Sequence, residues 1–499
     1  MKSTVSQEEE SSYRSIFKAT SLFGGVQVYQ ILIGIIKSKV IAVLLGPLGV
    51  GVLGLYTSAE QLLKSVTSMG LQSSAVRDLS EANSCGDEDN VSLKITVLKR
   101  LILLTGLLGM AVMLFLAPVL SKVSFGNYEY ILPFALFSVC LLLDQICNGQ
   151  RIILQGLRKL KSLAIVTAIG STAGLLVSIP IYYFGGVDGI VPTLILTSLA
   201  TLFFTWLIVR KIVVKQISIT NKEAFKEGKT MLKLGVAMSV TGILSTLNAY
   251  LIRSFISYKG GVNEVGLFTA GFTLMTTYTG LVFTAMSTDY FPRLASVNKD
   301  NTKCRDIINQ QGEIGILILL PLLLVCMVFV PYIVQILYSD EFTPANGYIL
   351  WACCGMLFKM ASWAISYVYV AKAEAKLFAF IETSANLLSL LLSMAGYVLF
   401  GLTGLGIAFS LGYVLYLAMV FLMANRKFEF TFNSNFVRLF ILESLMLFSC
   451  LGITVLLAPV YKYIFGSILI VVASFYSFNE LNKRIGFITI IKSYGKRKQ

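Results

Sequence analysis

Residues 21–63 read SLFGGVQVYQILIGIIKSKVIAVLLGPLGVGVLGLYTSAEQLL, and their pattern decides the class of fold. A helix needs about 20 predominantly apolar residues to cross a bilayer, and the stretch up to Leu45 supplies them. Leu45-Gly46-Pro47 then breaks the helix, and a second apolar run begins at once. Read outward on the same criterion, the chain gives about fourteen spans, near 20–45, 48–75, 98–120, 130–153, 162–184, 189–211, 233–257, 263–290, 312–337, 346–370, 377–399, 403–425, 436–458 and 462–479. Composition agrees: of 499 residues, 56% are hydrophobic and only 13% charged, with a mean hydropathy of +0.78. Soluble chains carry about 25% charged residues. The expectation is an all-α polytopic membrane protein. Glu8, Glu9 and Glu10 open it on acid rather than base, and the apolar run is too long for a cleavable leader.

Forty-one Lys and Arg against 26 Asp and Glu give a net charge of +15, with no histidine. Nucleic-acid binders concentrate base on a soluble fold, whereas base here is interleaved with apolar runs, so no nucleic-acid partner is expected. With the N-terminus in the cytoplasm, 33 basic residues fall on that side and three, Lys122, Lys259 and Lys462, on the other. Positively charged loops stay inside, so both termini are expected in the cytoplasm. The absence of histidine removes the commonest general base and metal ligand. Six of the eight cysteines lie inside apolar runs, where a small polarizable hydrophobe suffices. No metal or cofactor is expected.

The chain also repeats itself. Gly54-Leu55-Tyr56-Thr57 matches Gly266-Leu267-Phe268-Thr269, Leu79 and Asn83 match Leu294 and Asn298, and Tyr130-Ile131-Leu132 matches Tyr348-Ile349-Leu350. Phe184-Gly185 answers Phe400-Gly401, and Arg210-Lys211 answers Arg426-Lys427. The order is kept throughout. The expected architecture is two six-helix bundles in parallel pseudo-repeat, residues 1–210 and 233–427, joined by a basic cytoplasmic linker, 211–232, with two further helices and a basic tail in 428–499. Parallel repeats suit a transporter that works by alternating access to a central site.

Five basic residues remain at membrane depth: Lys37, Lys39, Lys64, Arg253 and Lys359. Ionisable groups there are costly and face a bundle interior or a watery cavity. Gln30 and Lys37 share a polar face of the first span, and Tyr56, Glu60 and Lys64 share one of the second. Thr246 and Arg253 mark the seventh span, while Thr273, Thr276 and Thr284 run down the eighth. Only Glu60 and Asp144 oppose the five cations, so the surplus is positive and suits an anion. Lysine suits phosphate as a point charge and arginine as a fork. The hydroxyls and amides, Gln30, Tyr56, Thr246, Thr273, Thr276 and Thr284, would line the cavity and suit sugars. Glu60 and Asp144 are the candidates for coupling to H+ or Na+; a Glu60–Lys64 pair within one helix is the purely structural alternative.

Residues 21–63 resemble the first helix pair of Wzx-type polysaccharide flippases, which belong to the multidrug/oligosaccharidyl-lipid/polysaccharide superfamily with its MATE-like fold. The basic residue late in the first span (Lys37 or Lys39), the Leu45-Gly46-Pro47 turn and Gly49-x-Gly51 leading to Gly54-Leu55-Tyr56 carry the resemblance, which extends as a pattern over about 15–430. It departs from the commoner pattern in using lysine where arginine is frequent, and in having about fourteen spans where twelve are usual. The resemblance implies translocation of an undecaprenyl-diphosphate-linked oligosaccharide, of the O-antigen repeat-unit kind, from the inner to the outer leaflet of a bacterial inner membrane. It implies a cationic cavity that holds the diphosphate, with Lys37, Lys39, Lys64 and Arg253 as its carriers, and other polysaccharide-assembly proteins as partners. A multidrug antiporter of the same superfamily would need a predominantly acidic site. A membrane enzyme of polysaccharide assembly would be expected to carry a sizeable outer loop or a histidine-based site.

Overall fold

The computed structural model describes residues 2–212 and 220–485; part of the expected linker, 213–219, and the basic tail beyond Ile485 lie outside the described residues. All regular structure among the described residues is helical: α1 (Lys2–Thr67), α2 (Leu71–Ser84), α3 (Glu88–Phe125), α4 (Ile131–Gly156), α5 (Leu160–Gly185), α6 (Ile190–Val209), α7 (Asn221–Gly260), α8 (Val262–Ser296), α9 (Asn301–Leu337), α10 (Asn346–Ala371), α11 (Ala375–Phe428), α12 (Ser434–Leu456) and α13 (Pro459–Ile485). Short 3-10 turns at Gly186–Gly189 and Asp340–Ala345 lead into α6 and α10. Among the described residues, ten helical runs are long and apolar enough to cross a membrane, and the chain is a multi-pass membrane protein.

Three of those runs, of 43, 50 and 54 residues, exceed one crossing of about 20 residues, and each contains a break. In α1 the break is Gly46 (φ 61, ψ −168), a conformation that only glycine adopts readily, followed by Pro47, which lacks an amide hydrogen. Gly186 (φ 53, ψ −136) separates α5 from α6, and Gly401 (φ 58, ψ −139) breaks α11. The expected span at 48–75 stops at Thr67, because Met69 and Gly70 both take positive φ; the chain restarts as α2, which buries Leu71, Ala75 and Leu79.

The helices divide into two compact units, Met1–Gly266 and Leu267–Gln499. In the first, α3 packs on α4, α4 on α6, α5 on α6 and on α1, and α7 on α1, α2 and α3. The expected second bundle began at 233; α7 instead starts at Asn221, behind a Thr220–Glu223 capping box, and packs within the first unit. In the second unit α9 is central. It packs on α10, α12 and α13, and α10 packs on α11. Asp300 caps α9 through the amides of Thr302 and Lys303; those donors, foremost that of Lys303, hold its carboxyl below the usual carboxylate range.

Lipid is as apolar as leucine, so helices in it associate through close packing and hydrogen bonds rather than through water expulsion. Glycines provide the closest approaches: Gly51 against Val262, Gly70 against Gly235, and Gly396 against Gly404.

The repeat is legible in the backbone. Gly46 and Gly261, Arg158 and Ala373, and Gly186 and Gly401 are three pairs at one offset of 215 residues, each pair with positive φ at both members. α4 and α10 both have 26 residues and end at Gly156 and Ala371, again 215 apart. After each, an amide reaches back five residues, Lys159 to Leu154 at 2.8 Å and Glu374 to Tyr369 at 2.8 Å, the same helix-ending motif in both halves.

Candidate functional site

The polar interior of the first unit is assembled from α1, α4, α5, α6 and α7. Lys64 Nζ donates to Asp144 Oδ2 at 3.1 Å, linking the second arm of α1 to α4. Both side chains keep about a third of their exposure, 29% and 30%, so they border open space rather than sit in close packing. Glu60 of α1 and Ser198 of α6 are near neighbours of Asp144. Glu60 and Lys64, four residues apart, therefore meet through Asp144. Two carboxyls and one ammonium form one compact group.

Beside this group, Ser65 of α1 and Thr246 of α7 share a hydrogen bond of 2.9 Å. Arg253, two turns further along α7, donates Nη1 to the Ala249 carbonyl at 3.1 Å. Lys37 is half-buried on α1, with Nζ toward Gly174 of α5, and Lys39 and Gln30 are half-buried on the same helix. About two turns before Lys37, Tyr29 shares a 2.6 Å hydrogen bond with Thr172 of α5.

Tyr56 is placed differently from expectation. It is 2% exposed, and its ring packs against Phe134 at 4.8 Å, Phe137 at 5.5 Å and Phe125 at 5.6 Å. Its helical position points it into an aromatic core rather than a cavity.

In the second unit, Lys359 of α10 sits over two rings, Phe283 of α8 and Tyr413 of α11, each 5.4 Å from Nζ. Such cation–π contacts hold an ammonium without neutralising it. Thr273 and Thr276 are half-buried on α8, and Thr276 returns its hydroxyl to the Phe272 carbonyl. Thr284 is exposed.

Two groups escaped the sequence reading. Arg151 falls at the end of the span expected at 130–153 and is not among the five cations placed at membrane depth, yet α4 continues to Gly156 and keeps it inside the helix. Its spacing of seven from Asp144, which puts both on one helical face, was the available signal. In the second unit Arg484 of α13 contacts Glu313 of α9 at 2.7 Å and Glu480 at 2.5 Å, while Glu443 of α12 is fully buried. Among the described residues, no group of three or more His, Cys, Asp or Glu is placed to hold a metal ion.

Comparison with known proteins places this architecture. The chain is 20% identical over 431 residues to the lipid III flippase of Escherichia coli (strain K12), a match covering 83% of this chain and 100% of that protein. Its fold is similar to that of a structure described as lipid II flippase MurJ, inward closed conformation, with a TM-score of 0.71 at 12% identity, covering 94% of this chain and 99% of that one. It is also similar to that of a multidrug resistance MATE family transporter of the MOP superfamily, solved in an inward-facing conformation, with a TM-score of 0.66 at 16% identity, covering 80% and 94%. A family model described as polysaccharide biosynthesis protein matches residues 40–346, more than half of the sequence. The chain belongs to that polysaccharide biosynthesis protein family.

Proposed function

We propose that this protein is a flippase that carries an undecaprenyl-diphosphate-linked oligosaccharide, an O-antigen-type repeat unit, from the inner to the outer leaflet of a bacterial inner membrane by alternating access. The observation that carries the reading is the sign of the charge left over in the first unit. Lys64 is matched by Asp144, whereas Lys37 has no acid beside it. An uncompensated cation at membrane depth favours an anion, and a diphosphate-linked lipid presents one there. The family, the lipid III flippase relative and the lipid II flippase fold all support the same class of cargo.

Lys37, Lys39 and Arg253 engage the diphosphate in this reading. Lys359, held open over its two rings, serves the anionic cargo from the second unit. Thr246, Thr273, Thr276, Thr284 and Gln30 offer hydroxyls and an amide to the glycan. Lys64, paired with Asp144, completes the cationic set, and Glu60 and Asp144 are the coupling site for H+ or Na+. Both termini lie in the cytoplasm, as the basic loops require. The protein acts on position rather than on bonds and is no enzyme.

The test is complementation together with reconstitution. Lys37→Ala and Arg253→Ala abolish surface polysaccharide while protein level and membrane insertion stay normal. In proteoliposomes, wild type moves a diphosphate-linked glycan and leaves a cationic dye in place. Dye efflux without glycan movement would overturn the reading.

A further inference from the structure

Two cations in the first unit converge on one strip of helix. Gly170 and Gly174 of α5 lie one turn apart on one face, about 6 Å along the axis. A Cβ at Gly170 would stand 3.6 Å from Arg151 Nη2, and one at Gly174 would stand 3.9 Å from Lys37 Nζ. The Thr201 and Thr197 methyls of α6 approach the same two positions at 3.1 and 3.0 Å. Three helices, α1, α4 and α6, thus bring Lys37, Arg151, Thr197 and Thr201 to the two positions of α5 that glycine leaves without a side chain. Side chains lean toward a helix's N-terminus, so Arg151 reaches away from the end of α4 and into the unit.

Neither cation is satisfied. Lys37 and Arg151 make no hydrogen bond or ion pair among the described residues. Arg151 Nε is buried without a partner, as is Thr197 Oγ1 at the Gly174 end of the strip, where Lys37 arrives. Asp144, seven residues from Arg151, already accepts from Lys64. Buried polar atoms are almost always paired, and unpaired cations at this depth are costly. A bound anion with several acceptor oxygens removes both costs at once. Two cationic centres, one a point charge and one a planar fork, each brought up to one of two glycine positions a helical turn apart, match two linked phosphoryl groups better than a single carboxylate. Glycine at 170 and 174 leaves the room in which those oxygens approach.

We propose that Lys37 and Arg151, set over the Gly170–Gly174 strip with Thr197, form a two-cation site for a diphosphate ester. This deepens the flippase reading and rests on it, by adding Arg151 and the α5 strip as the second half of the headgroup site.

The full-length protein, purified in detergent, is titrated calorimetrically with farnesyl diphosphate, farnesyl monophosphate and inorganic diphosphate, and, in nanodiscs, with and without phosphatidylglycerol. Wild type binds farnesyl diphosphate, and Arg151→Gln and Lys37→Gln each weaken it about tenfold, the loss of one charge-assisted contact. Arg151→Lys keeps the charge but not the fork and gives an intermediate loss, which guards against a Gln variant that fails to fold. Arg305→Gln, near the start of α9, leaves binding unchanged. Unaltered binding in folded Arg151→Gln and Arg151→Lys overturns the site while leaving the flippase reading intact. No diphosphate binding by wild type overturns both. Equal competition by phosphatidylglycerol or the monophosphate overturns the diphosphate assignment in favour of a general anionic-headgroup site.

Discussion

Lys64 Nζ lies 3.1 Å from Asp144 Oδ2, so the only lysine in the second arm of α1 is tied to α4 rather than to Glu60 on its own helix. The pair turns Glu60, Asp144 and Lys64 into one group with an odd charge balance: two carboxyls meet one ammonium.

That relationship makes a first prediction. Removing one partner of a part-buried ion pair leaves the other uncompensated, which costs more than removing both. Lys64→Met and Asp144→Leu singly lower thermal stability in detergent, and the double variant recovers most of the loss, with a coupling of about 1 kcal/mol. Tryptophan-fluorescence melting measures it. Additive losses would show that the 3.1 Å contact does not hold in solution.

A second prediction concerns the coupling role. If Glu60 and Asp144 bind the driving ion, Glu60→Gln with Asp144→Asn abolishes the gradient dependence of glycan transfer in proteoliposomes. Downhill exchange survives, because Lys37 and Arg151 are untouched. Transfer that still follows an imposed proton or sodium gradient sinks that role.

The third follows from the ends of α4 and α10. Arg158 and Ala373 occupy the same left-handed position, φ 54 and φ 57, where helices ordinarily place glycine. A non-glycine residue there costs about 1–2 kcal/mol, partly offset because glycine loosens the unfolded chain by about 0.4–1 kcal/mol. Ala373→Gly therefore stabilises the protein by several tenths of a kcal/mol, read as a small rise in melting temperature, whereas Ala373→Val lowers it.

How much of this was legible depends on what each feature rests on. Apolar length and the placement of base are local properties, so the crossing segments and the two-fold repeat could be read from strings such as residues 21–63. The Gly46-Pro47 break was equally local. Side-chain partners are not local. Glu60 and Lys64 look like a helix pair at a spacing of four, and only the approach of α4 reveals Asp144 between them. Tyr56 sits on the same helical face as Glu60 and Lys64, yet the arrival of Phe125, Phe134 and Phe137 makes it core. Arg151 was lost for a related reason: a basic residue near a helix end reads as topology until the next helix presents glycines to it. The placement of α7 in the first unit depends on Gly70 and Gly235, whose meeting no single-helix pattern encodes.

That meeting supports the last prediction. A Cβ on Gly235 would fall 2.3 Å from the Met69 carbonyl oxygen, and one on Gly70 would fall 2.0 Å from the Gly235 oxygen. Both obstacles are backbone, so neither can yield by rotating a side chain. Gly235→Ala must push α7 away from the turn between α1 and α2, at a cost of about 1–3 kcal/mol. Gly70→Ala adds the strain of its φ of 63°. Gly235, Ser239, Gly242 and Thr246 share one face of α7, so the same displacement draws Thr246 away from Ser65, whose hydroxyls are 2.9 Å apart. Arg253, two turns on, moves with them. Gly235→Ala is therefore expected to reduce surface polysaccharide with every charged residue intact, and Gly70→Ala to reduce it further. A cysteine pair at Ser65 and Thr246 reports the displacement directly: it cross-links in the parent and fails to in Gly235→Ala. Efficient cross-linking in the glycine variant would show that α7 is held by other contacts.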